Sequence, residues 1–341
     1  MKNIAVAFLV WLLPSVAAAH EVYVLDSDTV AKAVSTPSPN PFLAYFGNEP
    51  QFFFWGFVTF VVASTILSAS FFRLFERGLG PFFMHLKRFA HPLVRLTAGG
   101  TLLVFATKGV LYGPELTLTS LFGSAAPIAQ IAVALIGAAL VLGIYTRIAA
   151  FLAFIVFLAA LQASHLYTLM YVGHAGAYAL LMMLGAGGWS LASALPLVRS
   201  PLWMKMPRDF AGSAFPILRI AFGAGIMFAA VYAKFLHSNL ALAVIERYDL
   251  TAYFPFEPLF IVLGAFIIEL LAGLMIVLGI ELRWTALFLV FWLTLGHLSM
   301  DEAWWVHLSL YGFGLAILFH GYDRYSLEGH YLKRGTREPV L

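Results

Sequence analysis

The chain contains no cysteine. That absence excludes disulfides, thiolate metal centres and persulfide chemistry carried by the chain itself, whichever side of a membrane it faces. Charge is also scarce: 11% of the 341 residues are Asp, Glu, Lys or Arg, and the formal net charge is only +3. No basic run forms a nucleic-acid patch, so nucleic acid is not expected as a partner. A nucleophile paired with a base, a phosphate-binding glycine loop and a zinc-protease helix motif are all missing, which argues against an autonomous hydrolase. Any redox chemistry must come from a bound cofactor or a partner.

What is present is apolar surface. Hydrophobic residues make up 62% of the chain and the mean hydropathy is +0.89, against roughly 45 to 50% apolar residues in soluble domains. The composition defines an all-α integral membrane protein whose first partner is the lipid bilayer. At the start, Lys2, an apolar stretch, Pro14 and Ala17-Ala18-Ala19 fit the three regions of a signal peptide over 1–19, with cleavage expected before His20. A mature chain headed by His20 would offer an amine and an imidazole, a pair able to chelate copper. Residues 20–49 include the turn-forming run STPSPNP and read as an exported segment without a core of its own.

Runs long enough to span fall near 50–72, 93–112, 127–146, 148–169, 172–192, 216–236, 258–280, 284–299 and 304–321, which predicts nine transmembrane helices. The run at 284–299 is short and would borrow a turn from its neighbours. Threading nine spans from an exported start puts the C-terminus in the cytoplasm of a multi-pass plasma-membrane protein. Most of the 20 basic residues, from Arg73, Arg77, Lys87 and Arg88 to Lys333, Arg334 and Arg337, then lie at the cytoplasmic side. Lys108 and Lys234 sit at outer helix ends and fit snorkelling anchors better than anion ligands.

The two halves resemble each other. LVRLTAGGTLLVFATKGVL at 93–111 matches ILRIAFGAGIMFAAVYAKFL at 217–236 loosely, with the lysines two residues out of register. ALIGAALVLGIYTR at 134–147 matches LLAGLMIVLGIELR at 270–283 without a gap, aligning Gly137 with Gly273, Gly143 with Gly279 and Arg147 with Arg283. The last helices, 174–191 and 307–323, each carry His-x-x-x-Tyr, a spacing that puts imidazole and phenol on one helix face. The expected organisation is a helix at 50–72, a first four-helix unit at 73–210, and a second at 211–341 that ends in a cytoplasmic tail. Four is even, so the units are parallel repeats and not inverted ones.

Leu218-Arg219, Lys234-Phe235, Glu269-Leu270-Leu271-Ala272-Gly273 running into VLGIELR, and the closing RYSLEG at 324–329 together resemble the DoxX-like family of four-helix membrane proteins. The second unit resembles it over about 216–329 and the first more weakly over about 93–191, with Val133 where the second has Glu269. The resemblance implies a link to quinone-coupled oxidoreductases: a DoxD relative is a subunit of a thiosulfate:quinone oxidoreductase, and other relatives are linked to oxidative-stress complexes. Quinone as cofactor, and a soluble or membrane redox partner subunit, follow from it.

Candidate chemistry gathers at the outer loops. His165 and His174 flank one loop and His297 and His307 flank the corresponding one, with Met170 and Met300 beside them and Asp301 and Glu302 between the second pair. Imidazole with thioether suits copper, which makes His165, His174 and Met170 metal candidates; imidazole with carboxylate suits a harder divalent ion. Neutral imidazole could equally bond a quinone carbonyl, with His297, His307, Lys234 and Trp304 as the binding set. The competing structural reading has the histidines bonding loop carbonyls and Trp304 and Trp305 in an interfacial aromatic belt.

Glu269 lies near the middle of the span 258–280, where a charge costs about 2.5 to 3.5 kcal/mol on insertion scales, so it must face the bundle and be paired, protonated or wet. It is read with Tyr311 as a functional proton or ligand pair, or else as a buried hydrogen-bonding group satisfied by Tyr311 or Lys234. His307 lies higher in the membrane, so the histidine pair and Glu269 are expected in separate shells. Three functions follow: a quinone-linked oxidoreductase subunit, a copper or divalent-metal binder, and a non-catalytic anchor for a soluble partner.

Overall fold

The computed structural model describes residues 24–71, 74–201, 208–300 and 303–332. The signal peptide, His20, Asp301, Glu302 and the side chain of His165 lie outside the described residues. The main helices are α1 Ser27–Ser35, α2 Glu49–Phe71, α3 Leu74–Lys108, α4 Ala126–Leu142, α5 Thr146–Ser164, α6 Val172–Leu184, α7 Ala214–Ala230, α8 Ser238–Arg247, α9 Pro258–Leu278, α10 Leu282–Met300 and α11 Trp304–His320. Between α3 and α4 a short antiparallel ribbon pairs β1 Val110–Leu111 with β2 Gly113–Thr117.

Among the described residues, eight helical segments are long and apolar enough to cross a membrane, so the chain is a multi-pass membrane protein. The ninth expected span is α11, which is apolar but only 17 residues long. At 1.5 Å per residue it rises about 26 Å, a little under the roughly 30 Å of bilayer hydrocarbon. The run expected at 284–299 does borrow a turn and becomes the 19-residue α10. By contrast α3 is far longer than expected: 35 residues, continuing through Pro81 and Pro92. α2 is apolar on all sides and buries none of its spanning residues against the bundle, as lipid on every side permits.

The related stretches make related contacts. Arg95 sends Nη1 to the Leu140 and Val141 carbonyls at the end of α4, and Arg219 sends Nη1 to the Ile276 and Val277 carbonyls at the end of α9. Each guanidinium thereby satisfies helix-terminal carbonyls that have no partner inside their own helix. Both helices stop at a left-handed glycine, Gly143 at φ 71° and Gly279 at φ 70°. A Cβ on Gly99 would lie 2.8 Å from the Gly137 oxygen, and one on Gly223 2.6 Å from the Gly273 oxygen, so α3 packs on α4 and α7 on α9 at backbone contact. The arginines differ in their last bond. Arg95 donates to the Trp189 carbonyl, whereas Arg219 forms a buried 3.0 Å ion pair with Asp323.

The fourth helices depart from expectation twice. α6 packs chiefly on α7 and α11 chiefly on α3, so the stretches 73–210 and 211–341 interlock rather than closing into separate bundles. Small residues allow it: Gly176 lies against Ala221 and Gly312 against Thr97. These two glycines, like Gly185 and Gly321 over Arg147 and Arg283, keep the spacing that relates Arg147 to Arg283. His174 and His307 miss that spacing by three residues, nearly a helical turn, so the shared His-x-x-x-Tyr motif does not put the two imidazoles in equivalent places.

The segment before α2 builds no core of its own and packs on the second half. Asp26 caps α1 and reaches Arg247, the Tyr248 hydroxyl donates to the Val24 carbonyl, and Ser238 Oγ donates to the Pro39 carbonyl at 2.6 Å. With α8 it forms a cover over one end of α7 and α9.

Candidate functional site

Beneath that cover lies a cavity of about 220 Å³, walled by α6 to α11. Its surface is mostly apolar, with Phe222, Ile261, Val262, Leu289, Leu293 and Leu310 among the lining residues. The polar residues on its wall are Lys234 with Glu269 and Trp292, together with His174, Tyr171 and Ser299.

Lys234 owes its position to a local irregularity. After α7 the chain takes a π-helical course over Val231–Leu236, and Lys234 is buried. Lys108, at the end of the regular α3, is exposed. The wider turn changes the direction of the side chains that follow it, and it accompanies the two-residue offset between the lysines. The snorkelling expectation therefore fails for Lys234: its Nζ lies 2.9 Å from Glu269 Oε2. Glu269 Oε1 accepts a 3.1 Å bond from the Trp292 indole. Both carboxylate oxygens are thus engaged by donors, and a cation neutralises a charge that would otherwise be costly at that depth.

His174 is 2% exposed and stands among aromatic rings, with centroids at 4.9 Å for Tyr112, 5.5 Å for Phe313 and 6.1 Å for Phe105. Its Nδ1 lies 3.3 Å from the Tyr171 carbonyl oxygen. Met170 and Tyr171 line the same cavity from the turn before α6.

Glu115, on β2 and outside the spans, accepts a 2.6 Å bond at Oε1 from the Tyr171 hydroxyl. Burial pushes the Glu115 carboxyl up from its ordinary 4.5 to about 7, against the opposing pull of the Tyr171 bond. A Cβ on Gly113 would collide with both partners, so glycine lets the ribbon close over this pair.

The expected site residues divide. Glu269, Lys234, His174 and Met170 line one cavity, together with Met300. His297, His307, Tyr311 and Trp304 do not line it. Tyr311 meets the ring of the fully buried His307 at 6.4 Å, and Glu269 bonds Lys234 and Trp292 instead of Tyr311. Trp304 is 60% exposed, as an interfacial belt residue would be. Among the described residues no three His, Cys, Asp or Glu side chains gather as a metal site. Trp292 and Glu115 escaped the sequence reading. An indole in mid-span needs an acceptor, and Glu269, near the middle of its own helix as Trp292 is of α10, was the signal available.

A second cavity, of about 330 Å³, is lined by Arg147 and Arg199. Their guanidinium groups donate to the Met183, Ala192 and Ser193 carbonyls, so their contribution is to hold the turns around it. Comparison with known proteins found no match to this chain among family models, curated proteins or solved structures.

Proposed function

We propose that the chain is a membrane subunit of a quinone-linked redox system and that the cavity under the α8 cover receives the quinone. The observation that carries the reading is the cavity itself, an apolar pocket inside a membrane bundle with an ammonium–carboxylate–indole group and an imidazole among its lining residues. Such a pocket suits a flat apolar ring bearing a few hydrogen-bonding oxygens. The proposal includes nine spans in two tandem parallel four-helix units of DoxX-like type, supported by the recurring arginine, glycine and carbonyl contacts. It also takes the ribbon and the α8 cover as exported, the C-terminus as cytoplasmic, and the electron donor as a partner subunit.

Titration of the full chain in lipid nanodiscs with a short-chain benzoquinone tests the reading. Saturable binding is expected, weakened several-fold by Glu269→Gln, which removes the charge beside Lys234. Absence of saturable binding would reject it.

A further inference from the structure

His174 is held by one edge of its ring. A carbonyl oxygen can only accept, so the contact to Tyr171 puts the ring hydrogen on Nδ1, and in the neutral imidazole Nε2 is left as an acceptor. That Nε2 is buried and has no hydrogen-bond partner among the described residues, and His174 is one of the residues that line the cavity. Tyr112, Phe105 and Phe313 hem the ring in, so it is not free to turn toward another donor. The Glu269 carboxylate is also an acceptor, with both oxygens already occupied. The unmet need at His174 is therefore for a donor.

We propose that the cavity selects the reduced, hydroxyl-bearing form of its ligand, a quinol in preference to the quinone, through an O–H donated to Nε2 of His174. This rests on the quinone reading above. A quinone brings only carbonyl acceptors and would set lone pair against lone pair at Nε2, whereas a quinol brings O–H donors. A site with a buried hydrogen-bonding group discriminates strongly against an analogue that cannot pair with it, because the site's own group is then left unsatisfied. No proton need leave the ligand for the preference to appear, since a shared hydrogen bond is enough.

Three matched short-chain probes test it, titrated anaerobically into the full chain in nanodiscs: a benzoquinol, the benzoquinone, and the quinol's dimethyl ether. The quinol should bind about tenfold more tightly than either of the others, equivalent to one hydrogen bond to a buried group. His174→Phe should abolish the difference. Tyr112→Phe should preserve it, because the ligand and not the neighbouring phenol supplies the hydrogen. Equal affinity for quinol and dimethyl ether overturns the proposal without any variant, as does a preference that survives His174→Phe or is lost in Tyr112→Phe. Saturable binding of all three with no preference rejects the donor role alone; failure of all three to bind rejects the quinone reading and this proposal with it.

Discussion

Replacing Glu269 by leucine should destabilise the protein far more than replacing Glu269 and Lys234 together. At the observed 2.9 Å separation, with an effective dielectric of about 20, the attraction is about 6 kcal/mol. Placing two charges at this depth costs about 2.5 to 3.5 kcal/mol each, so cost and attraction nearly cancel. The intact pair is then close to neutral for stability. Removing one member leaves an uncompensated buried charge, worth about 3 to 5 kcal/mol. Glu269→Leu and Lys234→Met should each lose that amount, and the double variant should recover most of it. The assay is equilibrium denaturation in mixed detergent micelles followed by circular dichroism, arranged as a double-mutant cycle. If the double variant loses the sum of the two single losses, the residues are not coupled and the electrostatic account of the site is wrong.

Other consequences are independent of that pair. Gly99→Ala and Gly223→Ala should each cost about 1 to 3 kcal/mol by forcing backbones apart, whereas Gly56→Ala, with nothing within 4 Å of its added carbon, should be neutral or gain up to about 1 kcal/mol in the same denaturation assay. The raised Glu115 carboxyl makes the folded state hold a proton that the unfolded state releases. Its stabilising contribution is therefore complete below about pH 4.5 and is lost as pH rises through about 7. Glu115→Gln should flatten that part of the thermal-stability profile, and an unchanged slope would show that another group sets it. His307→Ala should lower stability but leave benzoquinone affinity within about twofold, because His307 does not line the cavity; a larger loss in the titration would put His307 back in the site.

Much of the candidate site was legible because the membrane makes polar residues conspicuous. Glu269 stands out in an apolar run, and its need for a partner follows from the cost of burying charge. The partner was harder to name. Tyr311 and Lys234 both stood as partners, and the lysine is the one buried beside Glu269, at the π-helical turn over 231–236. His174 and His307 looked equivalent because a four-residue motif recurs, yet the glycine contacts place them a turn out of step. Short motifs in apolar helices fix a face but not a height, since many residues along the helix can occupy similar surroundings.

Composition alone was sufficient for a cysteine-free, multi-pass helical membrane protein, because hydrophobic length and the absence of charge are local properties that the bilayer imposes on each helix separately. The glycine and arginine pattern of the two halves was equally plain in the linear chain. Which helices touch was not, because an apolar helix face is compatible with lipid, with its own unit or with the other unit. Packing of small residues resolves that choice, laying α6 against α7 and α11 against α3. The interlocked arrangement, together with one π-helical turn, brings His174 from the first half to the same cavity as Lys234 and Glu269 from the second.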